Sequence, residues 1–402
     1  MNRIIDANCL YDAGTKAMQT SKFKYATQFY EMNHLIETAQ LQKELMLGTY
    51  HPQEGNKFPI SERGKLRYIT SNVMRDKTVN HVLCDEVVTP AIKPFLIHDN
   101  GASQEGKGVS FTRKRFEHHM HEYFREHGNH GFVLLFDFSG YYANINHAVC
   151  KETLFKLVLP TLDTDEKELV TMLVDNIFQS FETDVSYLSD EQVAELYHTK
   201  VDPQMNLAVP KELLTGQKTL KKGVDIGNQL SQSVGIVYPY RIDNYIKIVK
   251  GCKFYGRYTD DGYVIHRDKE FLKEVLAGIQ KIADENGIII NERKTRIIKV
   301  SSFFRFLQTG YALTDTGRLI RKINPKSVTR ERRKLKAYKR LLDAGKIDYA
   351  TIDNSFKSWM GGNWKLMSRK QIKNMADLYF ALFGKKVKWK KNSRLKWLME
   401  HG

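Results

Sequence analysis

Apolar positions recur at helical spacing near the start of the chain. Ala26, Phe29, Met32, Ile36 and Ala39 fall on one side of a helix, and Leu41 and Leu45 continue the pattern on an adjoining face. This predicts a helical segment over residues 1 to about 48, closed by Gly48-Thr49-Tyr50-His51-Pro52. Phe58-Pro59-Ile60 and the run from Glu62 through Lys65 and Arg67 to Ile69 predict a hairpin with cations at its tip. Lys65 and Arg67, two apart, share one face of a strand. A second helix is predicted over 76–95. A glycine-rich loop at 100–108 then precedes a basic helix over 112–126, whose His118, His119 and His121 are expected to face solvent or phosphate. Residues 148–182 read as helical with a break near Pro160, 183–221 as a polar insertion, and 223–246 as a glycine-bearing loop entering a helix kinked at Pro239. Beyond come a helix over 269–286, a turn at Asn286-Gly287, a strand through Ile288-Ile289-Ile290, a hairpin over 303–323, and a basic helical end. The pattern is that of an α+β protein.

Two apolar runs carry acidic residues. Val133-Leu134-Leu135-Phe136-Asp137-Phe138 has the pattern of a buried strand interrupted by a carboxylate, and buried carboxylates are rare unless a cation compensates them. Phe254 to Ile265 flanks Asp260-Asp261-Gly262 with aromatic and β-branched residues, a hairpin signal. Alone, Asp-Asp-Gly marks a surface turn for backbone reasons. Together with Asp137, three aspartates at neighbouring strand ends would make an oxygen-rich site for divalent cations.

Composition narrows the partners. With 402 residues and 42% hydrophobic content, the chain can build two or three packed subdomains. The formal net charge of +17 calls for a polyanion, nucleic acid first. No apolar run is long enough to span a membrane, and no signal peptide opens the chain, so a cytoplasmic protein without a membrane partner is expected. Cys9, Cys84, Cys150 and Cys252 lack zinc-ligand spacing and read as reduced, packed thiols.

The ordered set of a basic hairpin, an Asp-bearing strand, a Gly-x-x-x-Ser-Gln helix start (Gly227, Ser231, Gln232), Tyr258-Thr259-Asp260-Asp261, Lys294 after a strand, and Phe306-Leu307-Gln308 resembles the successive motifs of reverse transcriptases over residues 45 to 325. That resemblance implies a right-hand polymerase: an N-terminal helical region (1–60), fingers (61–130), a palm with an antiparallel sheet (131–310, insertion 183–221) and a helical basic thumb (311–402). Within the family, Ser231-Gln232 and Ser358-Trp359-x-Gly361 are similar to the diversity-generating retroelement enzymes. The bacterial defence-associated enzymes are next, and they would work with a structured non-coding RNA.

By resemblance, Asp137, Asp260 and Asp261 are catalytic. Together with the Phe138 carbonyl they would hold two Mg²⁺ ions, for which Mn²⁺ could substitute. Lys65, Arg67, Tyr142, Gln232 and Lys294 would bind the dNTP, with Tyr142 excluding a ribose 2′-hydroxyl by its ring. Gly227, Ser231, Lys326, Arg330, Arg333 and Lys334 would contact template and primer, and residues 385–394 would grip the duplex. The implied partners are an RNA template, a DNA or RNA primer, dNTPs and an accessory protein. Two readings compete: a nucleic-acid-binding protein with a degenerate palm, and an RNA-directed RNA polymerase, disfavoured by Tyr142 and the Tyr-Thr-Asp-Asp hairpin.

Overall fold

The computed structural model describes residues 2–62, 65–387 and 389. The chain divides into two units, one formed by 1–116 with 133–297 and the other by 117–132 with 298–402.

In the first unit the N-terminal segment is three helices rather than one: Ala7–Met18, Tyr25–Met32 and His34–Met46. Their buried side differs from the stripe that periodicity selects. Thr27, Tyr30, His34, Thr38, Leu41 and Leu45 are buried, whereas Ala26, Phe29, Met32, Ile36 and Ala39 are exposed. Periodicity locates an amphipathic stripe, but the neighbouring element decides which side is covered. Here Ala17, Met18 and Met74 pack with Tyr30, and the Tyr30 hydroxyl lies 3.0 Å from that of Thr78.

The strands β1 (Asn56–Glu62) and β2 (Lys65–Ser71) form the expected hairpin, with Ile60 opposite Arg67. The helix predicted over 76–95 is segmented, as Met74–Leu83, a π-turn at Cys84–Val88, and short turns at Thr89–Ile92 and Lys93–Phe95 that accommodate Pro90 and Pro94. The strand β3 (Phe132–Asp137) is buried along almost its whole length. The insertion has its own small core of Val185, Val201 and Leu220, and is closed by the short strands β4 (Thr183–Asp184) and β5 (Thr219–Leu220), paired antiparallel. The hairpin β6 (Tyr255–Tyr258) and β7 (Asp261–His266) and then β8 (Arg296–Lys299) complete a sheet ordered β6-β7-β3-β8. The strand expected through Ile288 to Ile290 is only an isolated bridge between Ile290 and Phe138; the regular pairing falls at Arg296–Lys299 instead. Helix Lys269–Glu285 is amphipathic, burying Leu272, Val275, Ile279 and Ala283.

In the second unit β9 (Phe304–Phe306), β10 (Thr309–Leu313) and β11 (Leu319–Ile323) form a three-stranded meander. Its first turn holds Leu307 and Gln308 at φ 45° and 69°, left-handed conformations uncommon away from glycine. Helices Pro325–Asp343, Tyr349–Asn363 and Arg369–Phe383 pack around Leu335, Phe356, Met360, Met375 and Tyr379. No described helix is long and apolar enough to cross a membrane. The four cysteines are free, three of them buried, as thiol spacing predicted.

Candidate active site

The sequence places a hairpin at Asp-Asp-Gly, and the structure shifts the turn one step earlier. Tyr258 pairs with Asp261, so Thr259 and Asp260 are the two loop residues and Asp261 already belongs to β7. Gly262 therefore serves packing rather than the turn: a Cβ there would lie 2.2 Å from the Phe136 ring of the neighbouring strand. Thr259 sits at φ 52°, a strained conformation for a β-branched residue and one concentrated at functional sites.

That turn is held from below by Arg257. Its guanidinium is fully buried and ion-paired with the equally buried Asp243, Nη2 to Oδ2 at 2.6 Å. It also donates to the carbonyl oxygens of Thr259 at 2.7 Å and Ile236 at 2.9 Å. The Tyr255 hydroxyl donates to Asp243 as well. Desolvation opposes the charge on Arg257, but Asp243 outweighs it and raises the pKa further. Neither Arg257 nor Asp243 figures among the residues the sequence motifs select. The one available signal was a cation inside an otherwise apolar strand, the mirror image of the signal that revealed Asp137.

The end of β3 brings Asp137 beside this turn. The Phe138 amide donates to the carbonyl of Asp260 at 3.3 Å, so the two acidic elements share a backbone bond. Asp137 is buried, and both of its oxygens are engaged. Lys294 Nζ donates to Oδ1 at 2.6 Å and Asn291 Nδ2 to Oδ2 at 3.0 Å, while the Asn291 amide donates to the Asp137 carbonyl at 2.8 Å. Burial alone would lower the Lys294 pKa, but the hydrogen bond and charge of Asp137, followed by Asp261 and Asp260, raise it instead. Burial and then the charge of Asp137 push Asp260 up. Burial and the charges of Asp260 and Asp137 push Asp261 to about 7.

Asp260 and Asp261 are thus acids forced together without enough positive charge to compensate them. Such a set of hard oxygen donors fits a divalent cation. Among the described residues no three acidic, thiol or imidazole groups are already gathered into a metal shell, and Lys294 and Asn291 hold Asp137 instead.

Tyr142, in the turn after β3, lies against Gly235, where an added Cβ would meet its hydroxyl at 2.6 Å. Burial and the nearby charge of Asp260 push its phenol up to about 12. Gly227 makes a second close approach. At φ 117°, its missing Cβ would fall 2.6 Å from the Thr70 carbonyl, and the Thr70 amide donates to Ile226 at 3.0 Å. The loop before the Gln232 helix is thereby fastened to the strand that carries Arg67. Arg67 is exposed, and its charge is felt at Asp260. The side chain of Lys65 lies outside the described residues.

Asn228 caps helix Gln229–Val237, accepting from the amides of Leu230 and Ser231. Gln232 faces solvent. Ser231 does not; it is buried, with its hydroxyl unpaired.

Lys326, Arg330, Arg333 and Lys334 all lie on helix Pro325–Asp343 of the second unit. Lys326 and Arg333 are exposed, and Lys334 is 3.7 Å from the buried Glu331. Of the basic run 385–394, Lys388 and 390–394 lie outside the described residues; Lys385 stands 4.4 Å over the ring of Tyr349. One other expectation changes: His119 is buried on helix Val109–His127 rather than facing solvent. On the same helix Arg115 is bound to Asp99 at 2.5 Å.

No curated protein sequence matches this chain. Among solved structures, one that resembles it is telomerase from Candida albicans in complex with a TWJ fragment of telomeric RNA. That likeness has 13% identity and a TM-score of 0.44, and covers 92% of this chain and 66% of that one. Another is apo telomerase from Candida tropicalis, with 15% identity and a TM-score of 0.45, covering 87% and 62%. This chain accounts for less than two thirds of the length of either. The family model for reverse transcriptase (RNA-dependent DNA polymerase) matches residues 54–312, well over half of the chain, which therefore belongs to that family.

Proposed function

We propose that this protein is an RNA-directed DNA polymerase that adds dNTPs to the 3′-hydroxyl of a DNA or RNA primer. The observation that carries this reading is the meeting of Asp137, from the end of β3, with Asp260 and Asp261, from the β6–β7 turn, beside Tyr142. In this reading Asp137 and Asp260, with Asp261 and the Phe138 carbonyl in support, hold two Mg²⁺ ions. When bound, the metals activate the primer 3′-oxygen and offset charge on the departing pyrophosphate.

The chain's own residues do the rest. Arg257 fixes the turn so that the two carboxylates arrive together. Tyr142, backed by Gly235, forms a rigid wall against the sugar, which would reject a ribose 2′-hydroxyl. Arg67 and Lys65 bind the triphosphate by charge. Lys294, kept protonated by Asp137, is placed to give a proton to the leaving group. The exposed Gln232 borders the nascent base pair, with Gly227 behind it. Lys326, Arg330, Arg333 and Lys334 contact the nucleic-acid backbone without reading sequence.

Primer extension on an RNA template with Mg²⁺, comparing dNTPs, NTPs and Asp260→Asn, tests the proposal. Extension with dNTPs that Asp260→Asn abolishes is the expected result. Extension with NTPs only would reassign the enzyme as an RNA polymerase, and no extension would leave a binding protein.

The finer reading is a diversity-generating retroelement enzyme that copies its template inaccurately at adenines, supported by Ser231-Gln232 after Gly227. Sequencing the cDNA product tests it, and errors no more frequent at adenine than elsewhere would reject it. A defence enzyme acting with a structured non-coding RNA is the alternative.

A further inference from the structure

The 183–221 insertion returns one cation to the turn that follows Asp137. Helix Asp190–His198 runs into Thr199-Lys200-Val201, and the backbone is held on both sides of Lys200. On one side, the buried Lys222 ammonium donates to the carbonyls of Leu196 and Thr199 at 2.8 Å and of Tyr197 at 3.2 Å. On the other, the Val201 amide donates to the Asn144 side-chain oxygen at 3.0 Å, and the Val201 side chain enters the small core with Val185 and Leu220. Asn144 is itself buried, and its side-chain nitrogen donates to the Gly140 carbonyl at 2.9 Å. One asparagine thus ties the Lys200 backbone to the Gly140 turn.

The side chain of Lys200 lies over that turn. A Cβ added at Gly140, which sits at φ 56°, would fall 3.0 Å from Lys200 Cε and 3.6 Å from its Cγ. Glycine leaves the room that the lysine stem fills. Lys200 is exposed, and no carboxylate among the described residues pairs with it. Lys218 of the same insertion is paired instead, with Asp190 at 2.6 Å.

We infer that Lys200 binds the β- and γ-phosphates of the incoming nucleotide, an inference that rests on the polymerase reading above. In that reading the metals sit at Asp137 and the Phe138 carbonyl, and the sugar lies against Tyr142. The triphosphate joining them then runs along residues 138–142, and Gly140 is the midpoint of that stretch. An ammonium held there meets a polyanion. A nucleic-acid backbone fits less well, because residues 183–221 carry six acidic residues against four lysines in a chain of net charge +17.

Single-nucleotide primer extension over a range of dNTP concentrations tests the inference, with inorganic pyrophosphate as product inhibitor. Lys200→Met is expected to raise the dNTP KM about tenfold with kcat within about twofold, and to weaken pyrophosphate inhibition by the same factor. Lys200→Arg should restore both, while primer–template affinity and melting temperature stay at wild-type values in each variant. An unchanged KM in Lys200→Met, from a wild type that extends primers, overturns this inference alone. So does a KM that rises with an equal loss of primer–template affinity, with a lowered melting temperature, or with pyrophosphate inhibition untouched. A wild type that extends no primer overturns the polymerase reading, and this inference with it.

Discussion

Two ion pairs of equal length each anchor one strand of the same sheet, through Arg257 on β6 and Asp137 on β3, and behave as opposites. Arg257 and Asp243 meet at 2.6 Å with both side chains fully buried. Lys294 and Asp137 also meet at 2.6 Å, but the lysine is 54% exposed while the aspartate is 5% exposed. The first pair is closed. The Arg257 donors also reach two backbone carbonyls, and Asp243 accepts from Tyr255 as well, so no partner can be exchanged without leaving a buried charge. The second pair is open on its cationic side, where a flexible lysine can leave for water or for another anion at little cost. Equal distances therefore do not mean equal roles: the closed pair sets geometry, and the open pair keeps a carboxylate occupied until something else arrives.

The comparison is sharpened by substitutions on each side. Asp260→Asn, next to both pairs, should reduce primer extension about a thousandfold or more with the fold intact, measured as single-turnover rate beside a melting curve. Arg257→Met should destabilise the chain by about 3–5 kcal/mol in denaturant unfolding, since it strands Asp243. A loss under ~1 kcal/mol would mean that the closed pair is not closed. Gly262→Ala, which drives a methyl into Phe136, should cost roughly 1–3 kcal/mol.

Lys294→Met should change stability by less than ~1 kcal/mol while slowing extension about a hundredfold; a stability loss matching that of Arg257→Met would erase the distinction. The smallest effect is in pH. The Asp261 carboxyl ordinarily titrates at 3.8 but near about 7 in the folded chain. Between those values the folded state binds the additional proton, so the melting temperature of chelator-treated protein should fall as pH rises from about 4 to 7. Asp261→Asn should flatten that slope.

Much of this arrangement was legible in the chain itself. Asp137 stood out because a carboxylate interrupts an apolar strand, and Asp260 because aromatic and β-branched residues flank it. Both signals are local, and the sheet brought them together as the motif order implied. The turn was misplaced by one residue because Asp-Asp-Gly obeys turn propensity, while Gly262 answers to Phe136, a contact with a strand more than a hundred residues away. Arg257 escaped because its partner sits on the segment after Pro239, and nothing in a single strand reveals which distant carboxylate will neutralise its charge. The N-terminal stripe was found at the right period, and it proves to be the exposed side. Spacing fixes a face, but only packing decides whether that face looks in or out.

The neck of the 183–221 excursion has a consequence for engineering. Thr183 lies opposite Leu220 and Asp184 opposite Thr219, so the segment leaves and rejoins its host one strand spacing apart, about 4.8 Å. An excursion with adjoining ends is a cassette. Its length can change at a loop-closure cost that grows only logarithmically, provided two ties to the host are kept: the Val201 amide donates to Asn144 at 3.0 Å, and the buried Lys222 donates to the Leu196 and Thr199 carbonyls at 2.8 Å.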